Sequence, residues 1–172
     1  DEIGRWPPER IRLYDKLFDH GIMIPGGHEY ALELAKPLAL DETLSCLEIG
    51  AKLGGVARIL ADRLGVWVTA YEQDGELALL GMERSVQAGV QKKVPVQVFD
   101  PRAPELRKAY FNVVYSYGEL FKIPERDAFL PAIADTLRDH GQILLTDYVL
   151  TRDLDEAELG KWAKLEGEEL FP

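Results

Sequence analysis

Glu48, Gly50, Gly54, Gly55 and Glu72 are the residues whose types and spacing most invite chemistry. Glu48 lies in an apolar run over residues 44–49, the glycines follow at once, and Glu72 comes about twenty residues after the loop. Glycines between a strand and a helix let a ligand approach the backbone and meet the unpaired N–H groups of the helix N-terminus. An acid ending the next strand is placed to accept hydrogen bonds from a ribose diol. Together they predict a nucleoside-binding half-fold. Glu72 also reads as an exposed acid beside a helix N-terminus, where the dipole favours negative charge. Glu48, so near a core strand, needs a partner under either reading.

The elements that must position these groups follow from periodicity. Residues 44–49 predict a strand, residues 50–55 a turn, and Val56, Ile59, Leu60 and Leu64 one face of a helix. A second strand covers 66–71, and Asp74 caps a helix through Met82 to Gln87, closed by Gly89. Residues 94–99 predict a third strand running into Asp100 and Pro101, and a short helix follows over 104–109. A fourth strand, 111–117, runs into Gly118 and Glu119. An amphipathic helix over 124–138 carries Phe129, Ile133 and Leu137, the fifth strand covers 142–149, and a last helix spans about 153–167. Before all this, Pro7 and Pro8 open a helix with Ile11, Leu13, Tyr14, Leu17 and Phe18 as its apolar positions. An apolar loop at 22–27 and a helix over 29–40, interrupted by Pro37, complete an arm able to fold across the ligand site. Strands alternating with helices imply parallel pairing with right-handed crossovers. The acids and glycines then gather at the carboxyl edge, where such sheets bind ligands.

The 172 residues suit one domain with a real core, and 47% are apolar. Thirty acidic against 20 basic residues give a net charge of −10, which argues against nucleic acid and anionic membrane surfaces as partners. The single cysteine, Cys46, excludes an intrachain disulfide framework and reads as a small core residue. His20 and His28 lack a third ligand at metal spacing, His140 reads as a helix C-terminal cation, and no metal site is expected. No segment approaches a membrane span, and the first residues do not resemble a signal peptide. The chain is expected to be cytoplasmic. Without an initiator methionine, its numbering is expected to start inside a longer gene product.

The run from Leu47 to Gly55 resembles the first motif of class I S-adenosylmethionine (SAM) methyltransferases: an acid, an apolar residue, then G-x-G-x-G-G or similar. A nicotinamide-binding loop usually has an apolar residue where Glu48 stands. The residues from Tyr14 to Gly27 are similar to the N-terminal arm of phosphoethanolamine N-methyltransferases and related small-molecule enzymes, which covers the cofactor. Thr146-Asp-Tyr148 matches their fifth-strand end, where the tyrosine faces the substrate. The matches run over roughly residues 14–150.

The resemblance implies an α/β, Rossmann-like, doubly wound and mainly parallel sheet, with residues 1–40 as an arm or lid and 41–172 as the SAM-binding domain. It implies a cofactor set of Ile24, Glu48, Gly50, Ala51, Lys52, Gly54, Glu72, Gln73, Asp100, Pro101 and Tyr117. Within it Glu48 meets the cofactor ammonium, Glu72 the ribose, and Asp100 the adenine amino group, although Asp100 before Pro101 is also good turn chemistry. Tyr14, Glu119 and Tyr148 are the candidate catalytic groups; Tyr14 also reads as a core aromatic.

Three departures stand out. Lys52 replaces the motif's middle glycine, so its side chain points away, pairs with the cofactor carboxylate, or blocks the pocket. The acid and histidine that phosphoethanolamine enzymes carry after the fourth strand read Gly118 and Lys122, which speaks against phosphoethanolamine as the acceptor. The chain also ends without the family's last two strands, so a truncated domain, or one completed in another way, is expected. The leading expectation is transfer of a methyl group to nitrogen or oxygen of a small molecule, with S-adenosylhomocysteine as product. A methyltransferase-like binding or scaffold module and a nicotinamide-dependent oxidoreductase are the alternatives. Oligomeric state is left open.

Overall fold

A computed structural model describes residues 6–19, 21–149, 157–158 and 160–161. Its centre is a parallel sheet built from β1 (Ser45–Ile49), β2 (Trp67–Glu72), β3 (Val96–Val98), β4 (Phe111–Tyr117) and β5 (Leu137–Thr146). Among the described residues the order is β3-β2-β1-β4-β5, every neighbouring pair parallel. The two outward steps from β1 are the doubly wound arrangement the sequence predicts.

Alternation along β1 sends Cys46 to one face and Leu47 to the other. Cys46 joins Val56 and Leu60 of α3 (Gly55–Leu64) and Ala31 and Ala35 of α2 (Gly27–Ala35) in one core. Leu47 and Ile49 join Phe129 and Ile133 of α5 (Arg126–Ala134) in the other. α4 (Gly75–Gln87) packs beside β3 and starts on Asp74, whose side chain accepts from the Glu76 and Leu77 N–H groups at 3.0 and 3.1 Å.

The arm opens with α1 (Pro8–Phe18), with Pro8 in its first turn. Trp6, Ile11 and Met23 from the arm bury against Leu53 of the glycine loop and Leu77 of α4. The Trp6 indole N–H donates to Asp74 Oδ2 at 2.7 Å, so the residue that caps α4 also holds the arm. The arm's backbone crosses the start of α3 so closely that a methyl group on Gly55 would stand 2.4 Å from Gly21 C and Ile22 N.

Four expectations are corrected. The arm's second helix is shorter, ending at Ala35 and continuing as a 3-10 turn over Lys36–Leu38, because Pro37 cannot donate to the ladder. No helix forms over 104–109. Asp100 Oδ1 instead accepts the Arg102 N–H at 2.9 Å in a turn, and Ala109 takes a left-handed φ of 47°. α5 ends at Ala134, where the buried Thr136 hydroxyl donates to the Ile133 carbonyl at 2.6 Å. β5 consequently starts at Leu137 and ends at Thr146, with a bulge between the Phe111–Leu137 and Val113–Gln142 pairs. The predicted last helix lies outside the described residues except 157–158 and 160–161, which are helical; His20 also lies outside. No helix among the described residues is long and apolar enough to cross a membrane.

Candidate functional site

The glycine loop is pinned to the end of β2 by its own backbone. Gly50, at φ 79°, and Ala51 both donate to the Tyr71 carbonyl, at 2.8 and 3.0 Å. The Lys52 N–H then donates to Glu72 Oε2 at 2.6 Å, and Asp74 N–H donates to Glu72 Oε1 at 2.9 Å. Glu72 is buried, and that burial, reinforced by the nearby Glu119 charge, pushes its carboxyl up to about 7. It is no exposed surface acid. Each carboxylate oxygen offers about two lone-pair directions, so one remains on each for a ligand hydroxyl.

Glu48 lies on β1, with Tyr115 opposite it on β4. It is buried, and its Oε2 finds no hydrogen-bond partner among the described residues; nor do the hydroxyls of Tyr115, Ser116 and Tyr117. Burial pushes the Glu48 carboxyl up to about 8; the nearby Tyr115 hydroxyl, although short of good hydrogen-bond geometry, and the Arg58 and Lys52 charges pull it back, while the Glu72 charge adds to the rise. Its one unpartnered oxygen, beside a glycine loop, is what a ligand ammonium would satisfy. The Glu72 lone pairs and the orphan Glu48 oxygen therefore fit a nucleoside bearing an amino group.

In front of this loop opens a cavity of about 720 Å³, lined by Tyr14, Ile24, Lys52, Tyr117, Glu119 and Tyr148 among others. These six are all predicted site residues, drawn from the arm, the loop and the ends of β4 and β5. Lys52 does not point away. Its ammonium reaches Glu119 Oε1 at 2.8 Å and the Met23 carbonyl at 3.2 Å. Lys122 spans both Glu119 oxygens, donating to Oε1 at 3.3 Å and standing 3.2 Å from Oε2. Glu119, 4% exposed, is thus a buried carboxylate between two ammonium groups. Tyr14 packs edge-on to Trp6 at 6.0 Å, and Tyr148 edge-on to Phe121 at 5.3 Å. Tyr148 is largely exposed, whereas Tyr117 is buried.

The other predicted residues stand apart from this cavity. Gly54, at φ 68°, caps the start of α3, and Gln73 follows Glu72, half-buried. Asp100 is exposed in its turn and Pro101 is buried beside it. Several contributors escaped the sequence reading, Arg10 and Tyr30 of the cavity lining among them. Trp6 and Asp147 line the cavity, and Met23 serves through its carbonyl. Asp147 follows β5, so the carboxyl-edge rule was signal enough; partial burial raises its carboxyl. A backbone carbonyl leaves no sequence signal.

No family model matches the chain. Over 160 residues it is 24% identical to phosphoethanolamine N-methyltransferase 1 of Arabidopsis thaliana, covering 93% of this chain and 32% of that protein. Over 123 residues it is 28% identical to sterol 4-C-methyltransferase strm-1 of Caenorhabditis elegans, covering 72% of this chain and 36% of the relative. The chain thus spans about a third of the length of these relatives. Phosphoethanolamine N-methyltransferase 2 of Haemonchus contortus, solved in complex with S-adenosyl-L-methionine, superposes with a TM-score of 0.84 at 22% identity, over 98% of this chain and 39% of that one. The chain is therefore similar in sequence to the phosphoethanolamine N-methyltransferases, and its fold is that of the class I SAM-dependent methyltransferases.

Proposed function

We propose that this chain binds SAM at the carboxyl edge of its sheet and serves methyl transfer to nitrogen or oxygen of a small molecule held in the adjoining cavity. The observation that carries the reading is the buried, unpartnered Glu48 oxygen under a glycine loop, with Glu72 at the end of the next strand. The relatives' chemistry supports it. When bound, SAM supplies an activated methyl on a sulfonium, which an acceptor lone pair takes in line, leaving S-adenosylhomocysteine.

The rest falls to this chain's residues. Glu48 meets the ammonium and Glu72 the ribose, with Gly50, Ala51, Lys52, Gly54, Gln73, Asp100, Pro101 and Tyr117 completing the cofactor contacts. Residues 1–40 act as a lid, with Ile24 on its inner side, and exclude water. The Tyr14 and Tyr148 hydroxyls orient the acceptor, and Glu119 takes up its proton. Positioning supplies most of the rate, as it does where little acid–base chemistry is needed. No nucleic acid or membrane partner enters this reading, and a cytoplasmic site of action belongs to it.

The Lys52–Glu119 pair inside the cavity favours a second reading, a binding module that keeps the fold without turnover. The test is S-adenosylhomocysteine formation from SAM with a panel of small amines, phenols and acids. Product with any acceptor, lost in the Tyr14→Ala, Glu119→Ala or Tyr148→Ala variants, supports the enzyme. Cofactor binding without product across the panel supports the module.

A further inference from the structure

Lys52 stands where backbone geometry is unkind to it. Its φ is 52°, in the left-handed region where a side chain costs energy and glycine does not. Such a residue persists when its surroundings over-determine it, and Lys52 is held at both ends. Its N–H is fixed on Glu72 at 2.6 Å, while its ammonium is fixed on Glu119 at 2.8 Å and the Met23 carbonyl at 3.2 Å. The partner carboxylate is unusually placed too. Glu119 lies so tightly over Gly50 that a methyl group there would stand 2.3 Å from its Cγ. Glu119 therefore covers the bare glycine that a ligand would approach, and also neutralises the nearest ammonium. Lys122, at 3.2 Å, keeps a cation beside Glu119 if it leaves Lys52.

We infer that Lys52 is the carboxylate-recognition residue of the nucleoside site, and that Glu119 is an internal carboxylate which a ligand's carboxylate displaces. The inference rests on the SAM-binding reading above. Displacement keeps the charges matched: Lys52 exchanges one carboxylate for another, and Glu119 stays with Lys122. Exchange of like for like lets a half-buried lysine stay in the site beside the ligand. The same movement would release Glu119 from Lys52 only when a ligand is in place.

The test is calorimetric titration with S-adenosylhomocysteine and with 5′-methylthioadenosine, the same thioether nucleoside without its amino-acid end. Wild type, Lys52→Met, Lys52→Arg and Glu119→Gln are compared. Lys52→Met is expected to weaken S-adenosylhomocysteine about 10-fold or more, and methylthioadenosine by less than about twofold, a charge-assisted hydrogen bond being lost for one ligand only. Lys52→Arg should restore most of the difference. Glu119→Gln should tighten S-adenosylhomocysteine several-fold and leave methylthioadenosine unchanged. Tighter S-adenosylhomocysteine binding in Lys52→Met would make the lysine an obstruction and overturn the inference. Equal losses for both ligands, or no gain in Glu119→Gln, would overturn it as well. If Lys52→Met does not fold, Lys52→Arg and Glu119→Gln carry the same comparison. Wild type binding neither ligand would refute the SAM-binding reading itself. Methylthioadenosine binding as tightly as S-adenosylhomocysteine would sink this inference together with the Glu48–ammonium contact, and would leave only nucleoside binding at Glu72 standing.

Discussion

Asp15 of α1 and Arg84 of α4 form a two-pronged ion pair, with guanidinium–carboxylate distances of 2.7 and 2.8 Å. Asp15 Oδ1 also accepts the Gly21 N–H at 2.9 Å, so one carboxylate fixes both the arm's helix and the turn that follows it. Both side chains are less than a third exposed, which places the pair above the ordinary surface bridge. Arg84→Met should therefore loosen residues 8–27 selectively. About 1–3 kcal/mol of arm-docking free energy is expected to go. Hydrogen exchange reports it: faster exchange in α1 with β1 and β4 unchanged is the expected pattern. Unaltered protection in α1 would show that the apolar contacts of Trp6 and Ile11 hold the arm alone.

Gly55 gives a sharper test of the same docking. Gly55→Ala forces backbone apart at 2.4 Å contacts and should cost about 1–3 kcal/mol in denaturant melts. Gly75→Ala is the control, since nothing lies within 4 Å of its added methyl. It should be neutral or stabilising by about 0.5 kcal/mol. Equal behaviour of the two variants would contradict the close crossing of the arm over α3.

Glu48 should make the unliganded chain lose stability as pH rises. Its carboxyl ionises near 8 in the folded chain against 4.5 ordinarily. Between those values the folded chain holds a proton that the unfolded chain has released. The contribution is complete below the ordinary value, declines as pH rises, and is gone above the folded one. Glu72, raised to about 7, adds to the decline in the same direction. Thermal melts of wild type should fall between about pH 5 and pH 8, and Glu48→Gln should flatten the fall. An identical slope in the variant would remove Glu48 from the account.

Glu72→Gln keeps the shape but puts an amide N–H donor against one of two backbone N–H donors. Both the loop and the ribose contact suffer, so S-adenosylhomocysteine affinity should drop about 10- to 100-fold, matching the loss of charged hydrogen bonds. Affinity within twofold of wild type, read by calorimetry, would move the ribose elsewhere.

How far the sequence reached depended on how local each cause was. β1 and β4 were legible because apolar runs end at glycines, and α4 because Asp74 caps it two and three residues on. The helix expected over 104–109 failed because the end of that segment is tied across the chain: the Ala109 N–H, at a left-handed φ of 47°, donates to the Asp135 carbonyl at 2.9 Å, and the Tyr110 N–H to the Thr136 carbonyl at 2.8 Å. Leu137 continued the spacing of Phe129 and Ile133, so periodicity alone put it on α5, whereas pairing with Phe111 puts it on β5. The six residues around the cavity were named from sequence, but their meeting was not visible. Lys52 had three possible directions, and its contact with Glu119, far along the chain, removes one of them: the side chain does not point away.

The central claim is a SAM site at the carboxyl edge of the sheet. Calorimetric titration of the wild-type chain with SAM, S-adenosylhomocysteine and NADH tests it most directly. Micromolar binding of the first two, with no heat from NADH, is the expected result. Binding of NADH alone, or of none of the three, would contradict it.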